Sequence, residues 1–382
     1  MHVQDERPRR VRILAGDDDD GTSLGSEPQV RQPDLTGLPV LRASLLLLSR
    51  EYRFGEGPER LFEVVDQTGD VLARATEFDA AADSIAKALF HFKPPEPKLA
   101  SVCRECAAYG DECLAVGLAH TVLEIPNLHY KKLQRLSAEG IVDLSQVPDD
   151  LKLNEKQQRA RDSTLSGKLC VEAGLRIALD AIAWPCYYLD FETVATSLPL
   201  YPGHGCHQQV LTQFSTHCRD NFNSEIRHTE YLADPASDCQ QELAEALICA
   251  LGQQGSIIVY SSFEKTRIGA LQGLLPDLIE PLQAILDRLL DLLPIIVDHV
   301  YHPDFHGSFS IKKVLPALIP DLSYQNLAIH GGDVAITRFA RMARGEIAVD
   351  AIARTRFELL EYCKLDTFAM VRLHETLFKL AS

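Results

Sequence analysis

A chain of 382 residues, 46% hydrophobic and 24% charged, carries enough apolar material for one large core or two smaller ones, which excludes a low-complexity or wholly disordered polypeptide. A net charge of −16 excludes a protein that coats nucleic acid through bulk positive charge, but not one that grips it through local basic groups and bound cations. Ten irregularly spaced cysteines make no disulfide framework, no apolar run is as long as a membrane span, and the N-terminus lacks an apolar leader core, so a cytoplasmic protein without a membrane partner is expected.

Residues 1–37, rich in Arg, Asp, Gly, Pro and Ser, are expected to form a disordered tail. Residues 40–53, with four consecutive leucines, suit a buried strand, and residues 61–66 a second one ended by a turn at Gly69. Residues 79–92 have helical periodicity through Ala82, Ile85, Ala86, Leu89 and Phe90, stopped by Pro94, Pro95 and Pro97.

Next comes Cys103-x2-Cys106-x6-Cys113, a thiol knuckle suited to a soft metal. Zn2+ would need a fourth ligand, for which His120 is the nearest candidate and Cys170 a more distant one; unligated thiols in a small helical lid are the competing expectation. Residues 125–148 read as a helical hairpin in which Lys131, Lys132 and Arg135 flank a glycine turn at Gly140. Such a turn can present backbone amides to a phosphate, giving a nucleic-acid contact, although a plain packing hairpin has the same pattern. Residues 154–167 read as a linker or linking helix.

The chemistry concentrates further on. An apolar, aromatic run over residues 183–189 has the composition of a buried strand and delivers Asp190 and Glu192, which alternation sends to one face with Phe191 on the other. Carboxylates this close repel unless a proton or a cation lies between them, and ligation by oxygen alone favours Mg2+ or Mn2+. Residues 209–218 and 226–233 read as strands separated by a polar turn, residues 240–250 as a helix, and residues 256–260 as a buried strand leading through Phe263 to Glu264. Helical sequence is expected from there almost to the end, and residues 354–380 put Tyr362 and Asp366 on one helix face. Between them, residues 302–313 resemble a turn feeding a helix N-terminus, with Lys312 as a phosphate contact; His302 and His306 read as loop residues with no ligand role.

This order, an antiparallel meander, a helix, a strand and further helices, is that of the RNase H-like fold: an α/β class with a mixed central sheet flanked by helices in the C-terminal half, here preceded by a smaller mixed α/β and helical region. Asp190-x-Glu192, Phe263-Glu264 and Tyr362-x3-Asp366 together resemble the tyrosine subclass of the DEDD 3′–5′ exonucleases. The stretches around Tyr188 to Thr193, Gly307 to Lys312, Val314 to Pro316 and Tyr362 to Thr367 more closely resemble a bacterial domain-of-unknown-function family. Members of that family commonly join a RecB-type nuclease domain to an RNase H-like one. The resemblance implies a RecB-like remnant with the cysteine cluster over residues 38–120, the hairpin and linker over 121–167, and an exonuclease-like domain over 168–382. RecB-like iron–sulfur nucleases have a cysteine upstream of their core that this chain lacks, together with an Asp…Glu-x-Lys set that it also lacks. A shortened first half without nuclease activity is therefore expected, carrying Zn2+ or no metal rather than a complete 4Fe-4S cluster.

The implied mechanism is two-metal hydrolysis of DNA or RNA. Asp190, Glu192 and Asp366 would hold Mg2+ or Mn2+, Glu264 would assist through a water, and Tyr362 would orient the attacking water. Where the family pattern usually has Asp, often preceded by Asn, this chain has Glu264 preceded by Ser261 and Ser262. A protein that binds nucleic acid or acts as a scaffold on the same fold without turnover is the alternative.

Overall fold

The computed structural model describes residues 42–91, 96–322, 327–329 and 331–382; the expected tail and the prolines Pro94 and Pro95 lie outside them. Backbone contacts group the chain into two units, Met1–Glu96 with Thr196–Gln208, and Pro97–Ala195 with Gln209–Ser382. In the first, strands β1 (Ser44–Leu48) and β2 (Phe62–Asp66) pair antiparallel with Leu46 opposite Val64, and helix α1 (Thr68–Phe90) follows. The expected turn at Gly69 is instead the first turn of α1. Asp66 sets this start: its Oδ1 accepts from the Thr68 amide at 2.9 Å and from the Thr68 hydroxyl at 2.6 Å, before the periodic apolar residues begin. The segment Thr196–Gln208 belongs to this unit through a bridge between Arg53 and Gly205 and a 2.9 Å bond from the Phe54 amide to the His204 carbonyl.

The second unit runs through α2 (Tyr130–Ala138), α3 (Glu155–Ser166), β3 (Cys170–Val171) and α4 (Leu175–Asp180) before its central strand, β4 (Cys186–Val194). Then come β5 (Val210–Arg219), β6 (Arg227–Leu232), α5 (Gln240–Leu251), β7 (Ser256–Val259), α6 (Phe263–Leu274) and α7 (Ile279–Leu286). The chain continues through β8 (Leu289–Asp291), α8 (Leu292–His299), β9 (Val300–Tyr301), α9 (Ile311–Leu318), α10 (Gly332–Ala343) and α11 (Val349–Leu380). A five-stranded mixed sheet has the order β6-β5-β4-β7-β8, antiparallel on the β6 side of β4 and parallel on the β8 side. The expected meander and the strand after it are present. Strands β3, β8 and β9 are not among the expected elements: β8 interrupts the leucine-rich stretch read as helix, because three residues carry too little pattern to compete with helical periodicity until β7 offers Leu289–Asp291 a parallel edge, and the two-residue β3 and β9 pair with each other.

Alternation along β4 divides the core. Leu189 and Phe191 pack with Phe214, Leu243, Leu247 and Ile268 on one face; Tyr188 packs with Ile296, Val314, Met370 and Leu373 on the other. Of the two expectations for residues 154–167, α3 is the helix, and it packs within its unit. Its Gln157 amide donates to the Pro126 carbonyl at 3.0 Å and its Ser163 hydroxyl to the Tyr301 carbonyl at 3.2 Å, so one face of it is buried within the unit. Backbone contacts thus group residues 121–167 with the sheet-bearing part of the chain, in the unit that begins at Pro97.

At the start of β7, Gly255 adopts φ +83°, and a Cβ there would lie 1.8 Å from the Pro185 carbonyl oxygen at the approach to β4. Gly255→Ala should therefore cost more than the ~1–3 kcal/mol of a strained backbone alone. Gly269→Ala, on an open face of α6 with nothing within 4 Å, should stabilise by roughly 0.5–1 kcal/mol. Urea unfolding midpoints that move the same way for both variants would contradict this account of the β4–β7 junction.

Candidate metal centre

Strand β4 owes its conformation to the run Cys-Tyr-Tyr-Leu-Asp-Phe-Glu-Thr-Val, in which aromatic and β-branched residues fit a pleated, buried surface. It pairs with β7 only over Cys186 to Tyr188, so Asp190 and Glu192 project beyond the end of the parallel pair while β5 still supports them from the other side. The acids thus stand in the second half of the strand rather than at its end. A register shift follows Glu192 and leaves Thr212 as the extra residue of β5; its hydroxyl donates to the Glu192 carbonyl at 3.2 Å. Bulges of this kind bend a strand and re-aim its side chains.

Helix α11 brings Tyr362 and Asp366 to this face. One oxygen from each of Asp190, Glu192 and Asp366 lies within 4.8 Å of the others. Tyr362 is 4% exposed, and burial together with the surrounding carboxylates pushes its hydroxyl far above the ordinary phenol range, so it is a proton donor at neutral pH. Cys363, which the sequence reading passed over, directs its thiol at Asp190, 3.6 Å from Oδ2. Burial and the neighbouring Asp190 carboxylate hold that thiol well above its usual range, so it acts as a weak donor and not a nucleophile.

Glu264 stands in the first turn of α6 and is 3% exposed; its Oε2 is buried without a hydrogen-bond partner among the described residues. It lies outside the 4.8 Å group, yet its charge acts on both Asp190 and Glu192. Ser261, just before α6, has φ +146°, a region that costs a side-chain-bearing residue ~1–3 kcal/mol. One acid missed in the sequence, Asp291 at the end of β8, caps α8 through the Leu293 amide at 2.8 Å and adds its charge to Glu264. It lay hidden in the stretch read as continuous helix.

Burial, then Asp366 and Glu264, push Glu192 to about 8 against the pull of the Lys312 ammonium, and burial lifts Glu264 to about 7. Asp190 is driven well above the ordinary carboxylate range by burial and by the charges of Asp366, Glu264 and Glu192. An all-oxygen donor set with an orphaned buried carboxylate oxygen fits a hard divalent cation such as Mg2+ or Mn2+.

The remaining expected contacts divide. Lys312 is exposed at the start of α9 and acts on Glu192, and Lys131 is exposed on α2. Arg135, in contrast, is engaged by Glu139 at 2.8 Å and by both oxygens of Asp150 at 2.9 and 2.8 Å, and Lys132 donates to the Lys152 carbonyl. After Gly140 the chain forms a bridge from Thr121 to Asp143 and one 3-10 turn, Leu144–Gln146, in place of a second hairpin helix. Leu133, Leu136, Leu144 and Val147 bury against one another, so packing against neighbours determines this segment. Cys103 is half-buried, with its sulfur 3.4 Å from the Ala100 amide, while Cys106 and Cys113 are exposed. Among the described residues, neither group of three converging metal-type ligands contains a thiol. His120, expected as a fourth ligand for the thiols, instead directs Nδ1 at Glu124 Oε2, 3.0 Å away.

Residues 187–310 match the family model described as Domain of unknown function (DUF2779). Over 205 residues the chain is 30% identical to "Uncharacterized protein MG366 homolog" of Mycoplasma pneumoniae, covering 48% of this chain and 31% of that protein. It is 27% identical over 207 residues to "Uncharacterized protein MG366" of Mycoplasma genitalium, covering 48% of this chain and 30% of that protein. The chain thus spans about a third of the length of these curated relatives. No solved structure matches. Among the described residues, no helix is long and apolar enough to cross a membrane.

A carboxylate with a raised native pKa keeps a proton that the unfolded chain has already released, so the folded state loses stability as pH rises from the ordinary range through the raised value. Depressed histidines act in the opposite sense: with His217 lowered to about 3 and His374 to about 4, stability rises with pH until their ordinary value near 6.5 and is unaffected by them above it. Between about pH 7 and 8.5 the acids dominate. Metal-free stability should fall across that interval, and Mn2+ should flatten the fall, as read by denaturant midpoints in chelator and in Mn2+. A metal-free midpoint that is constant or rising there would show that the acids do not repel as described.

Proposed function

We propose that the second unit is a metal-dependent phosphodiesterase acting on DNA or RNA, most akin to 3′–5′ exonucleases of the RNase H-like class. The observation that carries this reading is the convergence of Asp190, Glu192 and Asp366 within 4.8 Å, with the buried Tyr362 hydroxyl under the influence of all three charges. The strand order β6-β5-β4-β7-β8, with β6, β5 and β4 antiparallel and the acids beyond the end of β7, supports the same class.

In this reading Asp190, Glu192 and Asp366 hold the cation, and the orphaned oxygen of Glu264 accepts from a water on its second side. Bound divalent cations would supply Lewis-acid stabilisation of phosphate charge and a lowered pKa for water. Tyr362, protonated at any working pH, orients the attacking water by a hydrogen bond that leaves a lone pair free for attack on phosphorus. Lys312 offers the exposed positive charge that a scissile phosphate needs beside Glu192. Helix α10 begins close by. A Cβ on Gly332 would stand 3.8 Å from Glu192 Oε2, and the positive end of that helix favours an anion on the same side.

Asp190→Asn should abolish Mn2+-dependent cleavage while leaving the fold intact, because it removes a repelling charge from a buried cluster. Tyr362→Phe keeps every carboxylate, so the thermal stabilisation by Mn2+ should survive while kcat drops about 10²-fold through lost positioning. Gel assays on single- and double-stranded DNA and RNA, beside melts of the three proteins, read both effects. If the wild-type chain binds these substrates and cuts none, the non-catalytic binding module is the correct assignment. An Asp190→Asn protein as active as wild type would place the chemistry elsewhere.

A further inference from the structure

His120, Glu124 and His306 come together from two distant turns. The Thr121-x2-Glu124 sequence is a capping box around the 3-10 turn Val122–Glu124. Glu124 Oε1 accepts from the Thr121 amide at 3.0 Å, which leaves Oε2 to face outward. That oxygen lies 3.0 Å from His120 Nδ1 and 3.2 Å from His306 Nδ1. The ligand atoms of all three residues lie within 4.8 Å of one another.

Both turns are held firmly. Arg104 donates to the carbonyls on either side of Glu124, Leu123 at 3.2 Å and Ile125 at 3.4 Å. The His120 carbonyl accepts from Leu144 at 3.3 Å, next to the Thr121–Asp143 bridge. On the opposite side Gly307, at φ +77°, passes so close that a Cβ would stand 2.5 Å from the Glu124 carbonyl oxygen, and its amide donates to the Tyr301 hydroxyl at 3.0 Å. His306 itself adopts φ +48°, a left-handed conformation that costs a residue with a Cβ roughly 1–2 kcal/mol. Its backbone is thus held in the conformation that turns the imidazole toward Glu124.

We propose that these three residues are a transition-metal site, with Zn2+ as its occupant, separate from the carboxylate centre. Two imidazoles and a carboxylate suit a borderline cation and not Mg2+. Ligand atoms around a tetrahedral ion with bonds of ~2.0–2.1 Å are about 3.3–3.4 Å apart, so the observed 3.0 and 3.2 Å separations need to open only slightly to admit it. The His306 side chain is 47% exposed and that of His120 30%, which leaves a fourth position open to water. The ion fastens residues 182 positions apart and steadies the turn that leads through Gly307 to α9 and Lys312. The site stands whether or not the unit is a nuclease.

Co2+ titration of the metal-free full chain, in an Asp190→Asn background to silence the carboxylate centre, tests it. Visible ligand-field bands of a four-coordinate ion should appear without the charge-transfer band of cobalt–thiolate bonds, and Zn2+ should bleach them. Loss of an outer hydrogen-bond partner alone weakens metal binding about 10–100-fold, so His306→Ala and Glu124→Gln, each losing a ligand, should weaken it by at least that factor. His306 is exposed enough for its variant to fold, which far-ultraviolet circular dichroism checks, and Cys103→Ser should leave the bands unchanged. No bands at all would mean that the cluster is only a hydrogen-bonded His–Glu–His network. Bands that persist in His306→Ala, or vanish in Cys103→Ser, would assign the metal to other ligands. Each of these results overturns the proposal.

Discussion

A ladder of buried polar contacts locks α11 in rotation and register against β4 and β5, and the carboxylate cluster depends on it. The Gln213 amide donates to the Leu359 carbonyl at 3.0 Å. Thr367 Oγ1 lies 2.9 Å from Ser215 Oγ and 2.8 Å from His217 Nδ1. Tyr188 and His374 are joined at 2.8 Å, and Arg219 pairs with Glu375 at 2.5 Å. Apolar packing alone would tolerate a helix sliding or rolling by part of a turn. Buried polar groups do not, because each one left unpaired costs ~1–3 kcal/mol. With positions 359, 367, 374 and 375 pinned, Tyr362, Cys363 and Asp366 can face only the stretch of β4 that carries Asp190 and Glu192. The wholly buried β5, with its unusual load of Gln, Ser, Thr, His and Arg, makes sense as the other half of that ladder.

Such a cluster is unfavourable in a protein that needs only to fold. Three acids share one face with little screening, one more is buried nearby, and Ser261 holds a backbone conformation that only glycine adopts without strain. These costs are concentrated around the second half of β4 and the exit from β7, and they are offset by the two apolar layers that clasp the sheet from either side. Local conflict inside an otherwise consistent fold is where ligand chemistry is expected.

Much of this was legible in the sequence, for reasons tied to particular residues. Alternation fixed the shared face of Asp190 and Glu192, helical spacing fixed that of Tyr362 and Asp366, and the strand runs around β4, β5, β6 and β7 were strong enough to read directly. Short elements were not: β8 and β9 have three and two residues, and only the edge each one pairs with makes it a strand. The basic face of α2 misled because a sequence cannot show that Arg135 will meet Asp150 fifteen positions on. The meeting of His120 and His306 on Glu124 was not legible, since Glu124 and His306 lie 182 residues apart in the chain. The capping box at Thr121 and Glu124 was the one local signal that Glu124 would be oriented by its own turn.

At Glu264, where the exonuclease pattern that the sequence resembles usually has Asp, backbone and side chain can compensate for each other. A methylene moves a carboxylate by more than a hydrogen bond tolerates unless the main chain retreats. Here the chain leaves β7 at Val259, passes through the strained Ser261, and starts α6 only at Phe263, so Glu264 points inward from a first helical turn instead of from the strand end. The longer side chain still brings its charge to bear on Asp190 and Glu192, yet falls outside the 4.8 Å group. Its buried, unpartnered Oε2 suits the role proposed for it, accepting from a water rather than joining the other three acids as a ligand. Asp291 adds a further negative charge that raises Glu264, so the helix start is held against repulsion as well as desolvation.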